Sequence, residues 1–347
     1  MIKQLSSNKG LILLFSMLHL GFCISAKADC GASRPSAVSQ LDNVYYGNKN
    51  LRIFYTISGE NALEFPEDQN KNNVPDYIEN IAIQANSIRK AWTLLGYQDP
   101  LKSPRYKERV RYIDIQIQKL NGLGLAYDEP HQHINNPLKQ NACALVILIS
   151  NNIPNLTTNS STVAHELFHL YSYGYTMFKQ PWLTESLAAW SEGLIRKGKV
   201  GAYGERSLPK NPENFDKFIL NRTYKTSQLW SRLTTLIDIS NGQLDLPPML
   251  LQTKYTDGQF VFHDQFLKGT LFMRTFLENL GNSDRRISNL NNWKLYRWKE
   301  SQQRSSHFDP QVLETLLETL EKSNKSNAEK KEFQILLRKV IKDKNLN

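Results

Sequence analysis

The sequence has few cysteines, no long hydrophobic run and no basic cluster, and each absence narrows what it encodes. Only 3 of its 347 residues are cysteine, and none of them forms a C-x-x-C pair, so no cysteine-based zinc site is indicated. The apolar stretch 11–23 is too short for a membrane-spanning helix. Internal repeats and long low-complexity tracts are also absent. The length fits one large domain or two lobes with a substantial core.

Positive charge is in excess, but it is scattered along the chain. The formal net charge is +10, and the first 28 residues contain three lysines and no acid, so their removal leaves about +7. An excess of Lys and Arg can favour acidic surfaces or nucleic acid. No basic run here is interleaved with aromatic residues. We therefore expect a solvated surface and no nucleic-acid partner.

The N-terminus has the three parts of a secretory signal peptide. Lys3 and Lys9 provide the positive region, residues 11–23 the apolar region, and residues 26–28 an A-x-A cleavage site. The pattern predicts a signal peptide at residues 1–28, cleaved after Ala28, with an uncleaved anchor as the alternative. The mature protein is then secreted or periplasmic and has no stable membrane anchor.

Export changes what the cysteines can do. Cleavage leaves only Cys30 and Cys143, and in an oxidising compartment these two can pair. The alternative is that Cys143, at the start of the apolar run 142–149, is simply a small buried hydrophobic residue.

The pentapeptide H-E-L-F-H at residues 165–169 is the most informative stretch of the chain. On an α-helix, His165 and His169 share one face and can reach a single metal ion, and Zn²⁺ favours imidazole nitrogen. Glu166 stands beside them in the position of a general base. A helix is indicated because N-cap residues at 159–161 precede an apolar stripe. The alternative is a core helix with two hydrogen-bonded histidines.

Catalytic zinc usually has three protein ligands, and the stretch P-W-L-T-E-S-L-A-A-W-S-E at residues 181–192 offers the third. Pro181 suits a first helical turn, and two alanines allow close helix packing. We expect Glu185 to be the metal ligand. Glu192, seven residues on, is expected to accept a hydrogen bond from a ligating imidazole and fix its tautomer. The alternative for either glutamate is a solvated helix position.

These two stretches together resemble the gluzincin metallopeptidases, in which two histidines and a downstream glutamate hold zinc. The sequence is most similar to a group of secreted bacterial metalloproteases whose second helix reads W-x-x-E-G-x-A-x-W-x-E. Ser186 stands where that pattern has glycine. The resemblance covers roughly residues 51–281 and implies a peptidase of zincin-like fold, but it names no substrate.

A second candidate metal site lies at residues 68–79. Oxygen ligands follow the spacing of an EF-hand-type calcium loop: Asp68, Asn70, Asn72, Asp76 and Glu79, with the carbonyl of Val74 between them. Asn73 replaces the usual glycine and tolerates a left-handed backbone, whereas Pro75 departs from the EF-hand pattern. The N-x-V-P-D-Y-x-E segment is similar to calcium-type loops in the same secreted metalloproteases. The alternative is a turn before the next helix that binds no ion.

Apolar periodicity places the remaining elements. It predicts strands at 51–57, 109–120 and 142–150, the second half-buried, and helices at 78–95, at 266–280 ending at Gly281, from 309 and from 327. The fold class predicted is α+β, as one zincin-like unit over 29–347. A mixed lobe at 29–180 and a helical lobe at 181–347 flank the site. The strand before the H-E-x-x-H helix is expected to offer its edge to an extended peptide.

The predicted function is an exported zinc metallopeptidase that acts on peptides or proteins, with Glu166 as general base. Tyr255 and His263 are candidates for stabilising the oxyanion, with a structural role as the alternative for each. A rival hypothesis is an inactive secreted binding protein of the same fold, with structural or absent zinc. The intact Glu166 argues against it, because a structural metal site needs no base.

Overall fold

The computed structural model describes residues 30, 37–132, 137–138, 142–154, 156–196 and 204–345. The predicted signal peptide lies outside them. Helices predominate over strands, and the named strands form one mixed sheet, so the fold class is α+β. Within the described residues, no helix combines the length and the apolar content needed to cross a bilayer.

The strands are short and the helices are of very unequal length. The strands are β1 Asn43–Asn48, β2 Leu51–Tyr55, β3 Val110–Gln118, β4 Gly124–Ala126 and β5 Cys143–Ser150. The α-helices are α1 Asp76–Leu94, α2 Thr162–Tyr175, α3 Pro181–Ser191, α4 Pro212–Phe215, α5 Ser227–Ile237, α6 Pro248–Leu251, α7 Thr270–Leu290, α8 Glu300–Gln303, α9 Asp309–Glu321 and α10 Ala328–Asn345. Short 3₁₀ turns include Glu192–Leu194 and Tyr224–Thr226.

The sheet order is β1-β2-β3-β5-β4, with a parallel centre and antiparallel strands at both edges. β2, β3 and β5 run parallel. Every residue of β5 is buried, as expected for a parallel strand covered on both faces.

The prediction that β3 is half-buried is wrong. Its polar residues Asp114 and Gln116 are buried together with its isoleucines. Arg52 of β2 donates from Nε and Nη2 to the two carboxylate oxygens of Asp114, both at 2.7 Å. In a buried bidentate pair each charge is compensated by its partner. A strand with polar residues at alternate positions can therefore lie in the interior.

Helix α1 covers one face of the sheet, and its core stripe is as the periodicity predicts. Ile78, Ile81, Ala85 and Trp92 are buried, and Trp92 contacts Phe168 of α2 with ring centroids 5.1 Å apart. The helix ends before Gly96, whose φ is +83°, a conformation that favours glycine.

The last two long helices begin within a residue of their sequence signals, α9 at Asp309 and α10 at Ala328 after Asn327. The prediction for 266–280 is wrong at both ends, because α7 spans Thr270–Leu290. A Cβ on Gly281 would lie 2.6 Å from the backbone oxygen of Tyr175. This glycine therefore allows α2 and α7 to pack closely, and it does not terminate the helix.

Cys30 and Cys143 form a disulfide across a sequence separation of 113 residues, with their Cα atoms 5.5 Å apart. Cys143 is the first residue of β5. The bond therefore ties the beginning of the described chain to the strand that precedes the H-E-x-x-H helix.

Candidate metal centre

Helix α2 places the two histidines of the motif on one buried face. Residues 162–174 are all buried, and the rings of His165 and His169 lie 4.9 Å apart between centroids in an edge-on arrangement. Spacing of four residues on an α-helix brings side chains to neighbouring positions. The amide of Ala164 in the first turn donates to Gln84 of α1 at 3.1 Å, which fixes the start of the helix.

Helix α3 brings the glutamate to these histidines. Pro181 occupies its first turn, and Ala188 and Ala189 are fully buried. Oε2 of Glu185 lies 3.3 Å from Nε2 of His165 and 3.5 Å from Nε2 of His169. Of the described His, Cys, Asp and Glu residues, only His165, His169 and Glu185 form a set of three or more with ligand atoms within 4.8 Å of one another.

These distances fit a shared metal ion better than direct hydrogen bonds. A charge-assisted N–H···O contact is normally about 2.7–2.9 Å, and the bond from His165 Nδ1 to Glu192 has that length, 2.8 Å. Ligands of a tetrahedral zinc at about 2.0–2.1 Å are separated from one another by about 3.3 Å. The two contacts of Glu185, at 3.3 and 3.5 Å, match that separation. Two imidazole nitrogens and a carboxylate are also donors that zinc accepts.

Glu192 lies on the far side of His165, in the 3₁₀ turn after α3. One carboxylate oxygen is 2.8 Å from His165 Nδ1, and the other accepts from Ser161 Oγ at 2.5 Å and lies 2.9 Å from Arg196 Nε. This arrangement places a proton on Nδ1 and directs Nε2 toward Glu185. His169 differs, since its buried Nδ1 has no hydrogen-bond partner in the described part of the chain.

Charges in the cluster are strongly coupled. Burial disfavours a charged His165, but its contacts with the carboxylates of Glu185 and Glu192 outweigh burial and raise its pKa to about 10. Burial also opposes ionisation of Glu185, yet the two histidines hold the pKa of its carboxyl well below the usual range. His165 and Glu185 thus form a charged pair, and a divalent cation would replace the proton that lies between them.

Glu166 is buried in a different environment from Glu185. Burial raises the pKa of its carboxyl above the ordinary value, with the two histidines opposing the rise. Its side chain lies against the backbone of β4, where a Cβ on Gly124 would be 2.6 Å from Glu166 Cγ. A carboxyl with a raised pKa beside a candidate metal site suits a group that accepts and returns a proton.

A cleft of about 470 Å³ opens beside the histidines. Residues 122–124 lead into β4 on one wall, and residues 159–162 at the start of α2 form another, with His165 and Glu166 between them. The expectation that β5 offers a free edge here is wrong, because β4 pairs with it in antiparallel register. The strand that borders the cleft is the edge strand β4, through Gly124.

Neither predicted oxyanion candidate contacts the cluster. The hydroxyl of buried Tyr255 accepts a hydrogen bond from Gln84 at 2.7 Å, and His263 is exposed elsewhere. The tyrosine nearest the cluster is instead Tyr224, which lines the cleft and has its ring centroid 5.6 Å from that of His165. No sequence pattern marks Tyr224. Arg196 had a signal, its spacing of four residues from Glu192.

The candidate calcium loop closes on itself. Asn70 and Asn72 donate from their side-chain amides to the two oxygens of Glu79, each at 2.8 Å. Asp68 accepts from the amides of Asn72 and Asn73, and Asn73 has a φ of +68°. The three acids of the loop are not among the described sets that meet the metal-ligand spacing.

One oxygen of this loop has no partner. Asp76 is buried and accepts from the amide of Gln69 through Oδ2 at 3.3 Å. Its Oδ1 has no hydrogen-bond partner among the described residues. A buried carboxylate oxygen normally has a donor or a cation beside it.

No family model, curated protein or solved structure matches this chain. The geometry of the cluster and its cleft is therefore the basis for assigning a function.

Proposed function

We propose that this protein is a zinc metallopeptidase with a zincin-like fold and the ligand set of the gluzincins. His165, His169 and Glu185 would hold the zinc ion. The observation that carries the proposal is the separation of their ligand atoms, 3.3 and 3.5 Å, which suits ligands of one tetrahedral zinc at about 2.0–2.1 Å.

The chemistry follows from what surrounds the three ligands. A zinc ion held by these ligands would lower the pKa of a bound water and polarise a substrate carbonyl. Glu166 takes the proton of the attacking water and returns it to the leaving amine, a role that its raised pKa supports. Glu192 keeps His165 oriented through the bond to Nδ1 at 2.8 Å.

The substrate class is peptide or protein. The edge strand β4 borders the cleft at Gly124, and an extended peptide can add to such an edge through main-chain hydrogen bonds. Tyr224 lines the same cleft, with its ring centroid 5.6 Å from that of His165, and is our candidate for stabilising the oxyanion. We propose it in place of Tyr255 and His263.

The rival function is a binding protein of the same fold without catalysis. The enzyme and the binding protein differ in whether they need Glu166, because a structural zinc site needs no carboxyl beside its ligands. Burying a carboxyl costs free energy unless it is compensated, and Glu166 is buried with a raised pKa. This favours a catalytic role over a merely structural one.

Export belongs to the same proposal. The Cys30–Cys143 disulfide is typical of secreted and periplasmic proteins, and the N-terminal 28 residues have a signal-peptide pattern. We propose a secreted or periplasmic enzyme.

We also propose that the loop 68–79 binds calcium as a structural ion. The unpartnered Oδ1 of buried Asp76 and the left-handed Asn73 support this. Millimolar calcium should raise the melting temperature, because a ligand specific to the folded state stabilises it, and Asp68→Ala should abolish the rise. Equal concentrations of magnesium serve as the control. Identical melting with calcium and with a calcium-selective chelator would show that the loop is only a turn.

The zinc proposal is tested by metal analysis of the purified mature chain combined with a peptidase assay. We expect about one zinc per chain, loss of metal and activity with a strong chelator, and recovery of both on adding zinc. Hydrolysis that survives complete metal removal would contradict the proposal. So would a chain that binds no zinc at all.

A further inference from the structure

Arg196 is a charged side chain in the cleft that the proposed chemistry does not use. Its side chain is 43% exposed and lines the cleft together with Glu166 and Tyr224. Its Nε donates to Ser161 Oγ at 2.9 Å and lies 2.9 Å from Glu192 Oε2. Within the described residues, Nη1 and Nη2 have no acceptor.

These contacts hold the guanidinium while leaving its outer donors available. An arginine anchored through Nε presents its two terminal nitrogens as a planar fork, the geometry that binds a carboxylate with two parallel hydrogen bonds. An unanchored surface arginine would lose side-chain entropy on binding, and this one has already lost part of it.

The surrounding charge also favours an anion. Residues 160–162 at the start of α2 line the same end of the cleft, and the first turn of α2 carries no acidic side chain. The N-terminus of a helix bears a partial positive charge. Glu166 and Glu192 in the same cleft oppose this, but the oxygens of Glu192 already accept from His165 and Ser161.

The position is close to the proposed reaction centre. The Glu192 carboxylate lies between the two side chains, 2.8 Å from His165 Nδ1 and 2.9 Å from Arg196 Nε. Only the imidazole ring and this carboxylate therefore separate Nε2 of His165 from the guanidinium. An extended peptide advances about 3.3–3.6 Å per residue, so two or three residues span this distance.

We propose that Arg196 is a specificity-determining residue that binds a carboxylate of the peptide substrate within about three residues of the scissile bond. This inference rests on the proposed peptidase function. The carboxylate is either the side chain of an acidic residue or the C-terminal carboxylate of the peptide, because both present the same pair of oxygens.

The test uses zinc-loaded wild-type protein and quenched fluorescent octapeptides. In one series a glutamate is moved through every position, each peptide paired with its glutamine counterpart. In the other, a free C-terminus is paired with a C-terminal amide. We expect kcat/KM to favour the carboxylate by about tenfold in one series, the size of one charge-assisted contact. The series that shows the preference identifies the source.

Arg196→Gln should bring that ratio to about one, and Arg196→Lys should retain part of it, because a lysine keeps the charge without the fork. The control is Arg285→Gln, at an exposed position on α7, which should keep the full ratio. Zinc content is measured in each variant, so that a disturbed Glu192 is recognised. A wild type without preference, or an unchanged ratio in Arg196→Gln, would overturn the inference.

Failure of the peptidase proposal is distinguishable from failure of this one. If zinc-loaded wild type cleaves no peptide, the peptidase proposal fails, and binding of the same labelled peptides is measured by fluorescence anisotropy. Tighter binding of the carboxylate form that Arg196→Gln abolishes would support the role of Arg196. Equal binding of both forms would refute it.

Discussion

At the scale of single residues, three glutamates surround two histidines and differ in what each contacts. Glu185 faces both Nε2 atoms, Glu192 faces Nδ1 of His165, and Glu166 lies against Gly124. Removing Glu185 should therefore cost the metal, whereas removing Glu192 should cost about 10–100-fold in affinity or activity.

The position of Glu166 depends on the absence of a side chain at Gly124. Gly124→Ala would place a Cβ 2.6 Å from Glu166 Cγ and 2.7 Å from its Oε1, so the carboxyl must move. We expect peptide hydrolysis to fall by about tenfold or more, since a small displacement of a catalytic group is costly, while zinc content stays the same.

Gly122→Ala is the matched control for this change. Gly122 lines the same cleft, and apart from its two chain neighbours no atom of the described residues lies within 4 Å of the added Cβ. Activity should stay near that of wild type. Equal activity in both alanine variants would show that Glu166 is not held by β4, and assays of kcat on a peptide substrate decide it.

The sequence could predict the residues that a local pattern defines. Helical periodicity predicts that His165, Glu166 and His169 lie on one helix. The stretch 181–192 predicts Glu185 and Glu192, which the structure places in α3 and in the 3₁₀ turn after it. Tyr224 could not be predicted, because it reaches His165 from a 3₁₀ turn by tertiary packing alone. Tyr255 was a sequence candidate for stabilising the oxyanion, but its hydroxyl accepts a hydrogen bond from Gln84.

At the scale of elements, the contact between α2 and α7 depends on Gly281. Gly281→Ala should lower the free energy of unfolding by about 1–3 kcal/mol, the usual cost of overpacking, because the Cβ would lie 2.6 Å from the Tyr175 backbone oxygen. Helix propensity alone predicts the opposite sign. Denaturant unfolding measures the change, with exposed Asn282→Ala as the control. A more stable Gly281→Ala protein would contradict the close packing.

Asp284, at the same contact, should make stability depend on pH. Burial raises its pKa to about 7, although the Met177 amide and the Thr176 hydroxyl donate to it. The folded pKa exceeds the unfolded value of about 3.9, so the contribution to stability is full below about pH 4 and is lost as pH rises through about 7.

Asp284→Asn removes that loss while keeping an acceptor and a donor. The variant should therefore gain stability relative to wild type between pH 5 and pH 8, measured by denaturant unfolding. Asp245→Asn, at an exposed loop position, should show no such trend. A difference between Asp284→Asn and wild type that is the same at both pH values would refute the assignment.

Element boundaries were predictable where local chemistry sets them, and not where tertiary contact does. Asp309 with Pro310, and Asn327, mark the starts of α9 and α10. The end of α7 was not predictable, because Gly281 looks like a helix stop signal in the sequence. In the structure this glycine lies inside α7 and allows close packing against α2.

At the scale of the whole molecule, the sequence did not allow us to predict the order of the strands in the sheet or the buried ion pair at its centre. The buried pair Arg52–Asp114 joins residues of different strands, so the alternation in β3 suggested a solvent-facing side that does not exist. The α+β class follows from the mixture of patterns, whereas the placement of β4 beyond β5 depends on pairing that no single segment specifies.

The disulfide acts on the molecule as a whole, because it closes a loop with a sequence separation of 113 residues. Cys30→Ser together with Cys143→Ser should lower the free energy of unfolding by about 2–4 kcal/mol. A thiol titration of the denatured, unreduced mature protein should find no free thiol. Two free thiols would show that the bond does not form.

The central claim is that Glu166 performs chemistry on a metal it does not bind, and Glu166→Gln tests it most directly. The variant keeps the size of the side chain but cannot accept a proton. The measurement is zinc content and peptide hydrolysis on the same preparation, with Glu185→Ala alongside. We expect Glu166→Gln to keep its zinc while hydrolysis falls by about 10²–10⁴-fold, and Glu185→Ala to lose both. Hydrolysis by Glu166→Gln at the wild-type rate would contradict the account.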